Sequence, residues 1–441
     1  MITIMDFDKQ LLRQIIEDQT NYLFQEELIP RDTQIQHLPG KVTVLTGVRR
    51  SGKSSLMELI EKEYQHKFKN DHFLFLDFTD ERLKGIQQEH LDLILEVFYE
   101  FKPETIDCDP LRIYFDEIQI IAGWEYFIRR LVRNKRYHIY LSGSSAKLLS
   151  KEIATELRGR SLTYEIFPFS YAEYLRARNI DRKSESTENR AKRNKALKEY
   201  LKYGSFPEVI LAPQALRAKI LNDYFKVLFL RDLVERHQIS DIEGSHFLFK
   251  MLFSYYGSLV SINKVLKRLQ TLHIHTSKQF ISKFLNWAED CYTQFTLPIE
   301  TESQYKRQVN LKKLYVIDTG LISYCLDERL ETMGRKIENL VFLHLRKKEN
   351  HRIAYYRTKK GEEVDFIIRS SQQKIKLIQV SQTIQDFNTR KRELAALDTA
   401  MQELSLKQSW IITLDQKETI HLDSGLCYVI PLSEYLLQEE D

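Results

Sequence analysis

Short, strongly apolar runs alternate with amphipathic repeats over the first 165 or so residues. The runs fall at 41–46, 73–78, 112–116 and 138–142, and a fifth, Tyr164-Glu165-Ile166-Phe167, is closed by Pro168. Strands this apolar, separated by helices, predict a parallel sheet covered on both faces. Residues 7–29 read as an acidic amphipathic helical lead-in that ends at Pro30. The pattern then turns helical. Residues 182–198 carry almost no large apolar side chain and read as a solvated helix or loose insertion. An amphipathic helix follows at 216–236, with Leu221, Tyr224, Phe225, Leu228 and Phe229 on one face, and three more helical patterns lie within 246–290. Strands return at 313–317, 353–357, 363–368, 375–380 and 409–414, which predicts a separate C-terminal α/β domain. No internal repeat interrupts this order.

Length and composition narrow the reading. At 441 residues the chain exceeds one ordinary core, so two to four domains are expected. Hydrophobic and charged contents of 43% and 29% are globular values. A net charge of +4 permits a nucleic-acid partner without arguing for one. Cys108, Cys291, Cys325 and Cys427 are scattered, with no C-x-x-C pair, and read as free thiols in a reducing compartment. The N-terminus shows no basic-then-apolar leader, and no apolar run has the length of a membrane span. A cytoplasmic protein without a membrane partner is expected.

The chemistry begins at Gly47-Val48-Arg49-Arg50-Ser51-Gly52-Lys53-Ser54, which fits G-x-x-x-x-G-K-[ST] at every fixed position. A β-branched run precedes it, and a helical pattern with Leu56, Leu59 and Ile60 follows Ser55. Strand, glycine loop and helix together make a nucleoside-triphosphate site. The loop N–H groups face phosphate oxygens, and the helix N-terminus adds partial positive charge. ATP and Mg²⁺ are the expected cofactors, with Lys53 against the β- and γ-phosphates and the Ser54 hydroxyl on the metal. Asp116 ends an apolar strand and is expected in the metal shell, and adjacent Glu117 is expected to activate the attacking water. Ser142 or Ser144, at the end of the next strand, is a candidate contact to the γ-phosphate. Arg158 and Arg160 have two readings: one reaches a neighbouring subunit's γ-phosphate, or both are a surface pair beside a capping glycine. Arg49 and Arg50 either brace phosphates or pair with acids of the same domain.

These motifs, in this order, resemble a large prokaryotic AAA-type ATPase family with a C-terminal domain of unknown function. The residues that carry the resemblance are Thr46 to Ser54, Phe115-Asp116-Glu117-Ile118-Gln119, Leu141-Ser142-Gly143-Ser144-Ser145 and Leu157-Arg158-Gly159-Arg160. It continues through Phe167-Pro168-Phe169-Ser170, Tyr203-Gly204-Ser205-Phe206-Pro207-Glu208, Tyr315 to Leu321 and Ile337 to Phe342. It implies an α/β fold: a P-loop AAA-type parallel sheet at 1–165, a helical lid at 166–237, a winged helix at 238–303 and a restriction-endonuclease-like α/β domain at 304–441. Gly204 and Pro207 resemble a Gly-x-x-Pro turn that packs on adenine in related signalling ATPases.

Nucleases of the last type need an Asp ending one strand and a Glu-x-Lys on the next, often with a helical Glu upstream. Glu338 and Asp365 fit, but Gln379 stands where the second metal-binding acid belongs and Ser381 where the lysine belongs. A neutral amide is a poor Mg²⁺ ligand, so the expectation is a nuclease-like fold without cleavage. Glu363 beside Asp365 leaves an ATP-regulated nuclease as an alternative. Within 259–290 the pattern is helix-turn-helix, with Phe280, Ile281, Phe284 and Leu285 facing inward. Its outward face is Ser277, Lys278, Gln279, Ser282, Lys283 and Asn286, residue types that contact phosphates and base edges. DNA and a protein are the two candidate partners. The expectation is a homo-oligomeric ATPase coupled to nucleic acid, with a nucleotide switch acting on proteins as the alternative.

Overall fold

The computed structural model describes residues 7–25, 27–68, 72–143, 157, 159–326, 332–348, 351–370 and 374–438. The chain divides into two compact units, 1–167 and 168–441.

The first unit is built on five parallel strands: β1 (Val42–Thr46), β2 (Phe73–Asp77), β3 (Leu111–Asp116), β4 (Tyr137–Gly143) and β5 (Ser161–Glu165). Their order is β2-β3-β4-β1-β5, so β4 separates the glycine-loop strand from the acid strand. β1 and β3 are buried along their whole length, which is why they read as unbroken apolar runs. The expected fifth run forms, but its strand ends at Glu165 and starts at Ser161.

Helix Lys9–Tyr22 is the predicted lead-in. The Asp8 carboxylate caps it by accepting from Gln10 N–H, and Leu12, Ile15 and Ile16 enter the core with Leu76, Ile113 and Phe115. On the other face, helix Lys53–Phe68 buries Leu56 and Met57 against Leu45, Phe75, Tyr114 and Tyr140. Apolar contact is not its only tie. Glu61, 1% exposed, accepts from Arg112 Nε at 2.7 Å and Nη2 at 2.9 Å, and from the Tyr114 hydroxyl at 3.0 Å. The register Asp116↔Ser142 and Thr46↔Gly143 brings the carboxyl ends of β1, β3 and β4 level. Ligand sites of open α/β sheets lie at such an edge.

The second unit begins with helices Tyr171–Ala177, Thr187–Tyr203, Pro207–Leu211 and Gln214–Val227. The stretch 182–198, read as a solvated helix or loose insertion, enters helix Thr187–Tyr203, and it is not wholly solvated: Arg193, Ala196 and Leu197 within it are buried, as are Tyr200 and Leu201 beyond it. The helix expected over 216–236 continues past Val227 as a π-helical segment, Leu228–Glu235. Helix Ile242–Ser254, β6 (Ser258–Val260), helices Ile262–Thr271 and Lys278–Asp290, and β7 (Gln294–Leu297) follow in order. β8 (Lys312–Val316) lies antiparallel between β6 and β7. The strand anticipated at 313–317 therefore pairs backward, across the expected boundary at 303/304, and not with the C-terminal sheet.

That sheet has six strands in the order β13-β14-β12-β11-β10-β9: β9 (His351–Arg357), β10 (Glu363–Ser370), β11 (Ile375–Val380), β12 (Gln408–Thr413), β13 (Glu418–Leu422) and β14 (Gly425–Pro431). Helix Phe387–Leu404 covers it with Ala396, Leu397, Ala400 and Met401. The β9–β10 ladder shifts register between Val364 and Ile367, a bulge that contains Asp365. β13 and β14 have no counterpart among the strands expected from the sequence. β13 alternates half-buried and exposed positions, so it lacks a continuous apolar run. Among the described residues no helix is long and apolar enough to cross a membrane.

The Arg112–Glu61 pair yields a stability prediction. Glu61→Ala strands a guanidinium that is 0% exposed and is expected to cost about 3–5 kcal/mol. Chemical denaturation checks it; a loss below about 1 kcal/mol would place the pair among ordinary surface bridges.

Candidate active site

The loop at 47–54 lies between β1 and helix Lys53–Phe68, as its spacing predicts. Gly47 is at φ +148°, and a Cβ there would stand 2.2 Å from the Ile166 carbonyl oxygen. Only glycine lets the loop pass the backbone beyond β5. Gly52 and Arg50 also have positive φ, 92° and 64°. Within the loop, Ser51 N–H donates to the Val48 carbonyl at 3.2 Å, and the buried Lys53 ammonium donates to the carbonyls of Gly47 (3.1 Å) and Val48 (3.0 Å). The Lys53 cation thus sits inside the loop. Ser54 is exposed, Ser55 and Arg49 are half-buried, and Arg50 is exposed.

Across the strand ends, Asp116 joins three elements. It is 6% exposed, and its two oxygens accept the hydroxyls of Ser54 and Ser142. Burial pushes its carboxyl up to about 7, with Asp77 and Glu117 adding to the rise, while Ser54 and Lys53 oppose it. Glu117 takes left-handed backbone angles, φ 54° and ψ 34°, an uncommon conformation for a non-glycine residue that clusters at functional sites. Its N–H donates to the Ser142 carbonyl at 3.3 Å, and its carboxylate accepts from the Gln119 amide.

Two participants carry no motif. Arg31 donates to the Ser51 carbonyl at 3.0 Å and to the Phe167 carbonyl at 2.6 Å, so it ties the loop to the chain beyond β5. Asp77 ends β2 in register with Asp116. A cleft of about 630 Å³ opens beside the loop helix, lined by Pro30, Arg31, Ile35, Leu56, Ile60 and Tyr64 among others. An acid at one strand end and an arginine in an irregular segment leave no spacing for a sequence reading to find.

The other expected residues are placed differently. Ser144 and Arg158 lie outside the described residues. Arg160 is exposed, and its carbonyl accepts from Val42 N–H at 2.8 Å where β5 begins. Pro207 belongs to the second unit. It opens helix Pro207–Leu211 behind a turn in which Ser205 N–H and hydroxyl donate to buried Asp318, at 2.6 and 2.8 Å. In the same unit Glu338, Asp365 and Gln379 are brought together. Gln379 Oε1 accepts from Asp365 N–H at 3.1 Å, and the Gln379 amide donates to Glu393 at 2.6 Å. Ser381 turns its hydroxyl to the Thr383 carbonyl at 2.9 Å. The ammonium in this cluster comes from Lys313, which donates to Glu338 and Asp365 at 3.0 and 2.7 Å.

Residues 39–175 match a AAA domain. Residues 194–332 and 333–435 match two domains of unknown function, DUF8612 and DUF4143. An uncharacterized protein of Methanocaldococcus jannaschii is 35% identical over 407 residues, spanning 90% of this chain and 88% of the relative. The chain belongs to the same family of AAA-domain proteins. A second member of similar sequence, an uncharacterized protein of Haemophilus influenzae, is 28% identical over 359 residues, 78% of this chain and 84% of its own. Among solved structures, a Walker-type ATPase of Pyrococcus abyssi is 16% identical, with a TM-score of 0.40 over 72% of this chain and 95% of that one. The five-stranded parallel sheet of this AAA-domain protein is that of a P-loop ATPase core.

The protonation of Asp116 gives a pH prediction. A metal ion needs the carboxylate, so below pH 7 a proton must leave first, and affinity falls as pH falls. Mg²⁺ titrations of the nucleotide complex are expected to show about tenfold weaker binding at pH 6 than at pH 8. Equal affinity at both would show that no proton has to leave Asp116 between pH 6 and 8, and Asp116→Asn then decides whether it is a ligand: unchanged Mg²⁺ affinity in that variant rules it out.

Proposed function

We propose that the protein binds Mg-ATP at the 47–54 loop and hydrolyses it. The observation that carries this reading is the convergence of Lys53, Ser54, Asp116, Glu117 and Ser142 at the level carboxyl ends of β1, β3 and β4. The loop N–H groups from Gly47 to Ser55 cradle the phosphates, with Val48, Arg49, Arg50, Ser51 and Gly52 forming the turn. Lys53 exchanges its two loop carbonyls for β- and γ-phosphate oxygens. Ser54 and Asp116, already hydrogen-bonded to each other, hold Mg²⁺, which neutralises charge on the phosphates when bound. Glu117 orients the water and takes its proton, while Gln119 steadies that carboxylate. Ser142, next to Asp116, is the γ-phosphate sensor, and Arg158 or Arg160 completes the site of a neighbouring copy in a homo-oligomer.

Lys53→Ala is expected to remove nucleotide binding. Glu117→Gln is expected to bind ATP yet hydrolyse it at least about 100-fold more slowly. Filter binding and phosphate release check both; wild-type turnover in the two variants would reject the assignment. Mixing Arg160→Ala with Lys53→Ala subunits restores activity only if the arginine acts in trans.

For the partner, we propose nucleic acid. The order helix, strand, two helices, strand, then β8 after the short helix Gln304–Val309, with β8 in the middle of the sheet, supports the winged-helix reading. Residues 244–288 contain no Asp or Glu, and Lys264, Lys267, Arg268, Lys278 and Lys283 are exposed on the two later helices. Such a face suits a phosphate backbone. Gln379 in place of an acid supports a C-terminal domain that does not cleave. Duplex DNA is expected to stimulate ATP turnover several-fold, and the double variant Lys278→Glu, Lys283→Glu to lose that stimulation while keeping basal turnover. No response to DNA or RNA, together with a protein that stimulates turnover, would favour the protein-directed switch.

A further inference from the structure

Three carboxylates in the second unit converge on one ammonium. Lys313 of β8 has a side chain only 3% exposed, and its Nζ lies 2.7 Å from Asp365, 2.9 Å from Glu363 and 3.0 Å from Glu338. The ammonium donates hydrogen bonds to Glu338 and Asp365, and Glu363 stands beside it as a third ion-pair partner. Tyr315, two residues along and so on the same face of β8, donates to the same Glu338 oxygen at 2.7 Å. The other Asp365 oxygen accepts from Val380 N–H at 2.8 Å. The Asn339 side chain meets the N–H and carbonyl of Val316, both at 2.9 Å, and so fastens the end of β8 to helix Met333–Arg346.

Glu338 and Asp365 are buried and Glu363 beside them is half-buried, so the two buried carboxylates cannot both ionise without a cation. A divalent metal is one way to supply it. Ca²⁺ takes carboxylate oxygens at about 2.3–2.6 Å, a few tenths of an ångström shorter than the contacts to Nζ. The point on which the oxygens converge is filled by the chain itself. Among the described residues, no group of three His, Cys, Asp or Glu side chains is arranged to hold a metal.

We propose that Lys313 is a resident counter-ion that takes the place of a divalent metal at the Glu338–Glu363–Asp365 cluster. The strand that carries it belongs to the sheet of the helix-turn-helix segment. The same contact therefore closes the acidic site and docks that segment on the C-terminal module. A lysine standing outside the expected Glu-x-Lys strand is here a plug, not a general acid. This role is independent of ATP hydrolysis at the 47–54 loop.

The test uses the full chain without nucleotide and follows thermal unfolding with and without about 5 mM Ca²⁺. Wild type and Asp365→Asn are expected to respond alike. Lys313→Ala is expected to melt lower and to regain at least about 4 °C with Ca²⁺, and Lys313→Ala, Asp365→Asn to lose that gain. A Lys313→Ala protein that folds but ignores Ca²⁺ overturns the proposal. If Lys313→Ala does not fold, Mn²⁺ calorimetry on wild type and Asp365→Asn decides. Equal binding supports a site already filled by lysine; binding lost in Asp365→Asn shows that a metal enters beside it and refutes the plug.

Discussion

One buried carboxylate holds the first unit's site together. Asp116 of β3 accepts a hydroxyl from the first turn of the loop helix and another from the end of β4, so it links two strands and the helix that follows the loop. A carboxylate at 6% exposure is costly unless its oxygens are satisfied, and the hydroxyls of the two serines satisfy them. Its raised pKa follows from the same burial.

The loop depends on a second constraint of a different kind. Gly47 passes within reach of the Ile166 carbonyl, and Arg31 bridges the Ser51 and Phe167 carbonyls. The loop is therefore pinned to the chain beyond β5 as well as to β1. Helix Lys53–Phe68 is anchored at its middle by Glu61, which fixes the position of its first turn. Rigid support of this sort spares phosphate binding the cost of ordering the loop. The left-handed backbone at Glu117 aims a carboxylate out of a buried strand end, a strain that the surrounding structure sustains.

The second unit solves the burial of charge by internal pairing. Lys313 with its three carboxylates pairs with groups far away in sequence, and Asp318 caps its own helix with one oxygen while the other accepts the distant Ser205 N–H and hydroxyl. Each joins segments that sheet pairing alone would leave separate. Removing one partner of such a link is costly, because it leaves the other charge or polar group buried and unsatisfied.

Periodicity and short motifs carried much of this structure. The apolar runs marked β1 to β4 because strands buried on both faces admit few polar residues. The glycine loop, Asp116, Glu117 and Ser142 were legible because phosphate and metal chemistry demands those residue types at strand ends. Where signals were weak, the reading ran short. β13 alternates and offers no continuous apolar run, whereas β14 is such a run, Leu426 to Ile430, lying beyond the last strand expected at 409–414. β8, expected in the C-terminal domain, pairs with β6 and β7 because a strand's pattern does not name its neighbour. Arg31, Asp77 and Lys313 stand in no motif, since their roles rest on distances across the fold. The sequence by itself determined which residues can bind phosphate and which strand ends carry acids, because those are local chemical requirements. Only the tertiary structure decided that Asp116 bridges two serines and that Lys313 fills an acidic site, because both require side chains brought together from separate strands and helices.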